Sequence, residues 1–195
     1  MAALKSELLA PGMRVGLYGG TFDPPHDGHL HVARTALKRL QLDRVWWLVS
    51  PGNPFKDNPP APLDERLDAV RALAPGPRYV VSALEARLPS HRTVDVIAWL
   101  QARHRGVRFV WIMGADGLAE LHRWKAWREI TARTPLAVVA RPGAGLAARF
   151  SPAARAPGHT QIPDRQAHTL VNRGAPGWTY LTERLHPHAS RLMRG

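Results

Sequence analysis

Short apolar runs alternate with amphipathic stretches along most of this chain. Residues 14–18, 44–49, 78–82, 107–113 and 136–140 are apolar runs of strand length, and 178–181 is a sixth of the same kind. Between them the apolar residues recur at helical spacing, as in Leu30, Ala33, Leu37 and Leu40 with Arg34, Lys38 and Arg39 interposed. Further helices are expected over 63–73, 93–103 and 117–130, the first with Asp64 and Glu65 near its start, where the helix dipole favours acids. Strands buried on both faces and separated by helices make a parallel sheet with helices on both sides. The expectation is a Rossmann-like, doubly wound α/β fold with a parallel sheet of five to six strands. In such sheets ligands bind beyond the carboxyl ends of the strands, at the switch point, so the chemistry should follow the strands.

At 195 residues a single domain is expected, with 1–13 as an N-terminal extension. Residues 142–177 are rich in Ala, Gly, Pro and Arg without clear periodicity. They read as a poorly ordered connection in preference to a mobile lid, with one short helix around 151–155. No run of 18 apolar residues occurs, so no membrane span is expected, and the N-terminal stretch with Lys5 and Glu7 lacks the apolar core of a secretory signal. The absence of cysteine excludes disulfides, thiolate metal sites and cysteine nucleophiles, and a cytoplasmic protein fits.

The formal charge of +12 raises the question of nucleic acid. Only four of the 27 basic residues are lysines, and no run of five like charges occurs. From residue 141 onward there are eight arginines against Asp164 and Glu183. A basic arm is not present, and a positive field also steers small polyphosphates, so nucleic acid is not the expected partner.

The densest motif is Gly19-Gly-Thr-Phe-Asp-Pro-Pro-His-Asp-Gly-His29, which runs from the first expected strand into the first helix. Gly19 and Gly20 allow a sharp turn and close approach of a ligand. The helix start offers main-chain N–H groups and the positive end of a dipole to an anion. His26 and His29 are three apart and share a helical side, where two imidazoles can stabilise charge developing on phosphate. A metal reading of the two histidines lacks the third ligand that zinc usually takes, so no metal site is assigned. After the fourth strand comes Gly114-Ala-Asp-Gly-Leu-Ala-Glu-Leu-His-Arg-Trp-Lys-Ala-Trp127, where Asp116 can accept from sugar hydroxyls and Gly114 permits close approach.

The first motif resembles the opening signature of the HxGH adenylyltransferase superfamily. Further segments resemble one branch, bacterial nicotinate-nucleotide adenylyltransferase: Pro51-Gly-Asn-Pro-Phe-Lys56, Arg92-Thr-Val-Asp-Val96, the Gly114–Trp127 stretch and Arg141-Pro-Gly143. The resemblance runs from about residue 14 to 143 and resumes near 178. It implies ATP binding by Gly19, Gly20, Thr21, Phe22, His26, His29, Gly114, Asp116, Ser190 and Arg194. It implies mononucleotide binding by Gly20, Lys56, Thr93, Trp124 and Arg141. His26, His29 and Arg194 would act on the phosphates. Thr93 is open between a substrate contact and a plain helix cap; Trp124 is read as a stacking platform for the pyridine ring and Trp127 as core; Arg141 is open between a structural and a phosphate-facing role. Asp95 is expected to brace its helix, and Val96 replaces the family's second threonine. The closing signature is matched only in part by His188-Ala-Ser-Arg-Leu-Met-Arg194, where Ala189 and Arg191 depart from it, and the family continues past this point through a closing helix.

What the resemblance implies is AMP transfer from ATP, with Mg²⁺ bridging phosphate oxygens, to nicotinate mononucleotide, in NAD biosynthesis. The substrates are then small molecules, no membrane is involved, and a homo-oligomer is left open. Nicotinamide mononucleotide and phosphopantetheine are alternative acceptors. A non-catalytic basic nucleotide- or RNA-binding module on the same fold is the reading from another class.

Overall fold

A computed structural model describes residues 9–52, 59–140 and 148–182. Among the described residues seven strands form one sheet: β1 Arg14–Gly20, β2 Arg44–Val49, β3 Tyr79–Ser82, β4 Arg108–Gly114, β5 Leu136–Val139, β6 Thr160–Ile162 and β7 Gly177–Leu181. Their spatial order is β3-β2-β1-β4-β5-β7-β6, and every pairing is parallel. The α/β sheet with helices on both faces is the expected fold, with one strand more than the expected six. The chain runs outward from β1 through β2 to β3, then returns to place β4 against the other side of β1. The switch point therefore lies between β1 and β4.

Alternation along the strands divides the core in two. Phe109, Trp111 and Met113 of β4 join Val15 and Leu17 of β1 on one face. That face is covered by α4 (Thr93–Arg103), α5 (Ala115–Glu120) and α6 (Trp127–Arg133) through Ile97, Leu100, Leu118 and Ile130. Val110 and Ile112 point the other way, with Tyr18, Val45 and Trp47. There α1 (Asp27–Arg39), α2 (Leu63–Leu73) and α7 (Leu170–Arg173) supply Leu30, Ala33, Leu37, Val70 and Leu170. A short α3 (Leu84–Arg87) lies between β3 and α4. Among the described residues no helix is long and apolar enough to cross a membrane.

Three expectations need correction. Part of 142–177 is ordered, because β6 adds to the sheet edge beside β7 and is followed by a 3-10 stretch, Asp164–Thr169, and α7. The reason is local anchoring: the Asp164 carboxylate accepts from the Thr182 amide at 3.1 Å and its hydroxyl at 2.6 Å, and also pairs with Arg39. Around 151–155 there is a turn rather than a helix, held by Ser151 Oγ accepting from the Ala154 amide at 3.2 Å.

The single helix expected over 117–130 is also broken. α5 ends at Glu120, a 3-10 turn spans Leu121–Arg123, and α6 restarts at Trp127 after Ala126 takes a left-handed φ of 59°. The break lets Leu121, Trp127 and Ile130 all reach one core, which a straight helix could not do at this spacing. A left-handed alanine costs free energy that glycine does not. Ala126→Gly should therefore raise stability by about 0.5–1 kcal/mol in urea unfolding; a loss of that size would mean the Ala126 methyl contact outweighs the backbone strain.

Candidate active site

The motifs gather at the carboxyl edge of the sheet, on both sides of the β1/β4 switch point. His26 is the N-cap residue of α1, with extended backbone (φ −147°, ψ 170°). Its Nδ1 accepts from the Gly28 amide at 3.1 Å, and His29 Nδ1 accepts from the His26 amide at 3.2 Å. Two imidazoles thus make a reciprocal capping box, the arrangement usually built from a hydroxyl and a carboxylate. The expected unpaired N–H groups of the helix start are in part taken: Gly28 donates to the ring, and His29 N–H to the His26 carbonyl at 2.8 Å. The chemistry moves to the rings. An Nδ1 that accepts leaves the proton of a neutral imidazole on Nε2. Both histidines are therefore fixed as Nε2–H donors with ring centroids 3.9 Å apart.

Gly28 explains itself by space. A Cβ there would lie 2.8 Å from His26 Cε1 and 2.9 Å from Nδ1, so only glycine admits the capping ring. Gly19 and Gly20 are likewise places where another ring sits. A Cβ on Gly19 would meet the Trp111 ring at 2.6 Å, and one on Gly20 the Phe22 ring at 3.1 Å. Neither has positive φ; the left-handed residue of the turn is Phe22, at φ 50°. Phe22 is 2% exposed, and its ring packs on Tyr18, Trp47 and His29 with centroids 5.2, 5.1 and 5.2 Å away. Its side chain is thus a floor beneath His29, and only its backbone is left for a ligand.

Arg66 of α2, which sequence reading passed over, ties this turn to its neighbours. It is 2% exposed. Its guanidinium donates to the carbonyls of Thr21 and Ser50, each at 2.7 Å, Ala61 at 2.8 Å and Pro51 at 3.1 Å. Asp23 adds a bond from the Ala61 amide at 3.1 Å. The loop after β1, the end of β2 and the lead into α2 are held by one planar fork.

Across the switch point, Gly114 ends β4 and caps α5, and Asp116 is exposed in the first turn of that helix. Trp124 is half-buried in the break before α6 and meets Trp111 edge-to-face, with centroids 6.3 Å apart at 86°. Trp127 is buried in the core, with Arg128 over its ring at 4.4 Å. Thr93 is the first residue of α4 and half-buried; the cap position belongs to Arg92, which makes no side-chain capping bond. Asp95 braces that helix start by pairing with Arg92 at 2.7 and 2.9 Å and by accepting from Ser90. The Arg92 and Ser90 bonds hold the Asp95 carboxyl below its ordinary range. Val96 is fully buried, so the position that holds a threonine in the family's pattern is core here. Lys56, Arg141, Ser190 and Arg194 lie outside the described residues.

The lead into Thr93 is closed by His91, whose Nδ1 lies 2.8 Å from the Glu85 carbonyl. The Glu85 side chain is buried, and burial raises its carboxyl to about 7, against a smaller opposing pull from His91.

A strand, a glycine turn and a histidine-capped helix thus meet beside the switch point of a parallel sheet. Residues 17–183 match the family described as cytidylyltransferase-like. A probable nicotinate-nucleotide adenylyltransferase of Cereibacter sphaeroides is 55% identical over 169 residues, covering 87% of this chain and 89% of that protein. One of Roseobacter denitrificans is 47% identical over 183 residues, covering 94% and 92%. The chain belongs to the nicotinate-nucleotide adenylyltransferase family. The fold is also that of Plasmodium falciparum nicotinic acid mononucleotide adenylyltransferase complexed with NaAD, with a TM-score of 0.66 over 92% of this chain and 79% of that one at 13% identity.

Arg66→Met should leave several carbonyls unpaired and cost on the order of 3 kcal/mol, lowering the thermal midpoint by roughly 6–12 °C. Arg66→Lys should recover only part, because a point charge cannot serve four separate acceptors as a fork does; a midpoint equal to the parent's in either variant would refute the tie. For Glu85 the folded value lies above the ordinary 4.5, so its contribution to stability is full below pH 4.5 and is lost as pH rises through 7. Glu85→Gln should flatten that part of the stability profile and gain on the order of 2–3 kcal/mol at about pH 8. An unchanged slope between these limits would show that Glu85 does not cause it.

Proposed function

We propose that this protein transfers AMP from ATP to nicotinate mononucleotide, forming nicotinate adenine dinucleotide and pyrophosphate, a step of NAD biosynthesis. The observation that carries the reading is the pair of imidazoles capping α1, both held as Nε2–H donors at the carboxyl edge beside β1. The name and NaAD complex of the Plasmodium falciparum structure and the names of the bacterial relatives support the choice of acceptor.

In this reading the ATP triphosphate lies along the turn of Gly19, Gly20, Thr21 and the Phe22 backbone, against His26 and His29. A phosphate oxygen of the mononucleotide attacks the α-phosphorus in line. The bond from that phosphorus to the bridging oxygen breaks, and its electron pair leaves with pyrophosphate. No protein nucleophile takes part, so catalysis is positioning together with charge stabilisation. The histidines stabilise charge developing on the phosphoryl oxygens. Gly114 and Asp116 hold the adenosine. Thr93 and Trp124 receive the pyridine ring, and Gly20, Lys56 and Arg141 the mononucleotide phosphate. Ser190 and Arg194 complete the triphosphate site.

Mg²⁺ prefers oxygen ligands and keeps much of its water shell. The donors placed here fit a metal carried by the nucleotide: the Nδ1 atoms of both histidines are engaged, and no group of three His, Asp or Glu gathers among the described residues. The ion would supply charge neutralisation to the leaving pyrophosphate. A cytoplasmic enzyme acting on small soluble substrates fits the same reading.

The test is pyrophosphate release with ATP and Mg²⁺, comparing nicotinate mononucleotide, nicotinamide mononucleotide and phosphopantetheine. Preference for the first supports the proposal; preference for another reassigns the acceptor. No release with any of them, together with salt-sensitive RNA binding, would replace it with the binding-module reading. His29→Ala should lower kcat by about 10²-fold, the scale of losing one preorganised donor. Near-normal turnover in that variant would remove His29 from the catalytic assignment.

A further inference from the structure

We infer that Trp111 is a positioning residue for the acceptor: it sets the ring of Trp124 and ties that ring to the ATP turn. The inference rests on the reading of Trp124 as the platform for the pyridine ring. Trp111 is 1% exposed, on β4 between Val110 and Ile112, which face the opposite core. The benzo end of its ring fills the space a side chain at position 19 would need, with Cη2 and Cζ2 at 2.6 and 2.8 Å from the place of a Gly19 Cβ. The same ring meets Trp124 edge-to-face. One side chain therefore touches both the glycine turn assigned to ATP and the aromatic ring assigned to the acceptor.

Trp124 depends on such a wall. Its backbone lies in the break between the 3-10 turn and α6, with its N–H on the Leu121 carbonyl at 2.9 Å and its own carbonyl taking the Trp127 N–H at 3.2 Å. These bonds fix the chain there but leave the indole to be oriented by what it packs on. Trp111 is fixed by packing too, since its Nε1 is buried and has no hydrogen-bond partner among the described residues. Replacement by phenylalanine thus breaks no hydrogen bond to those residues, and relieves a buried donor. It shortens the ring and alters the surface that Trp124 packs on. A role in packing alone would appear as a change in thermal midpoint with no selective change in kinetics.

The experiment is steady-state kinetics on Trp111→Phe, Trp124→Ala and the double variant, each with its thermal midpoint. Trp111→Phe should raise the KM for the acceptor about three- to tenfold, the range expected for losing one aromatic pair, with kcat and the KM for ATP within about twofold. In the Trp124→Ala background the same change should have no further effect on the acceptor, because the two residues act as a unit. If Trp124→Ala raises the acceptor KM and Trp111→Phe does not, or if their effects simply multiply, this inference falls and the reading of Trp124 stands. If Trp124→Ala leaves the acceptor KM unchanged, the platform reading falls and this inference with it. Equal losses in kcat and both KM values alongside a lowered midpoint would make Trp111 structural only. Trp111→Met, which keeps the core filled without an aromatic ring, serves in the same cycle should the phenylalanine variant fold poorly.

Discussion

The guanidinium of Arg66 is the contact on which the geometry of the site depends. A parallel sheet ends at its carboxyl edge in strands whose last carbonyls have no further ladder to join, and the loops that follow must stay open for a ligand. Buried carbonyls without donors are costly, and so is a buried cation without compensation. Here each problem answers the other. The carbonyls of Thr21, Ser50, Pro51 and Ala61 surround one charge, and the fork holds three segments at fixed separation. The bond to Thr21 also fixes the peptide leading into Phe22, which holds a left-handed conformation that a bulky residue rarely adopts. Phe22 in turn supports His29. The path from Arg66 to the His29 imidazole thus has three links: a hydrogen bond, a peptide and a ring contact.

At the start of α1 the two histidines change what a helix end offers. An N-terminus normally presents its own N–H groups to an anion. Here the rings take up some of those donors through Nδ1 and present N–H again through Nε2, farther from the backbone. The polarity of the helix is passed through two side chains that can reach around a phosphate. Gly28 is the condition for this, because any side chain there would displace the capping ring of His26.

Much of this was legible in the sequence, and the parts that were not share a cause. Strands β1, β2, β4 and β5 are continuous apolar runs and helices α1, α2 and α4 carry a clean period, so burial alone reveals them. β6 is three residues with an exposed Thr160 and Gln161, and it exists because Asp164 and β7 hold it rather than because of its own pattern. The break at Ala126 lies in a sequence whose local preference is helical; three large side chains drawn to one core override it. Arg66 stands among Asp64, Glu65 and Asp68 and reads as part of a solvated charged face. Only tertiary structure shows that it points inward. At Gly19 and Gly20, where the sequence suggests a sharp turn and close approach of a ligand, the space of the missing Cβ is filled by aromatic rings and no unusual φ is involved.

That difference bears on how the site keeps its shape. Successive residues of a strand face opposite sides, so the absent side chains of Gly19 and Gly20 open toward the two different cores. Trp111 enters the first space and Phe22 the second, so the last two residues of β1 are clamped between aromatic rings from opposite faces of the sheet. The Trp111 ring continues to Trp124, and the Phe22 ring to His29. A ligand lying along this strand end would rest on a backbone that neither ring allows to shift sideways. Close packing of this kind transmits a displacement instead of absorbing it.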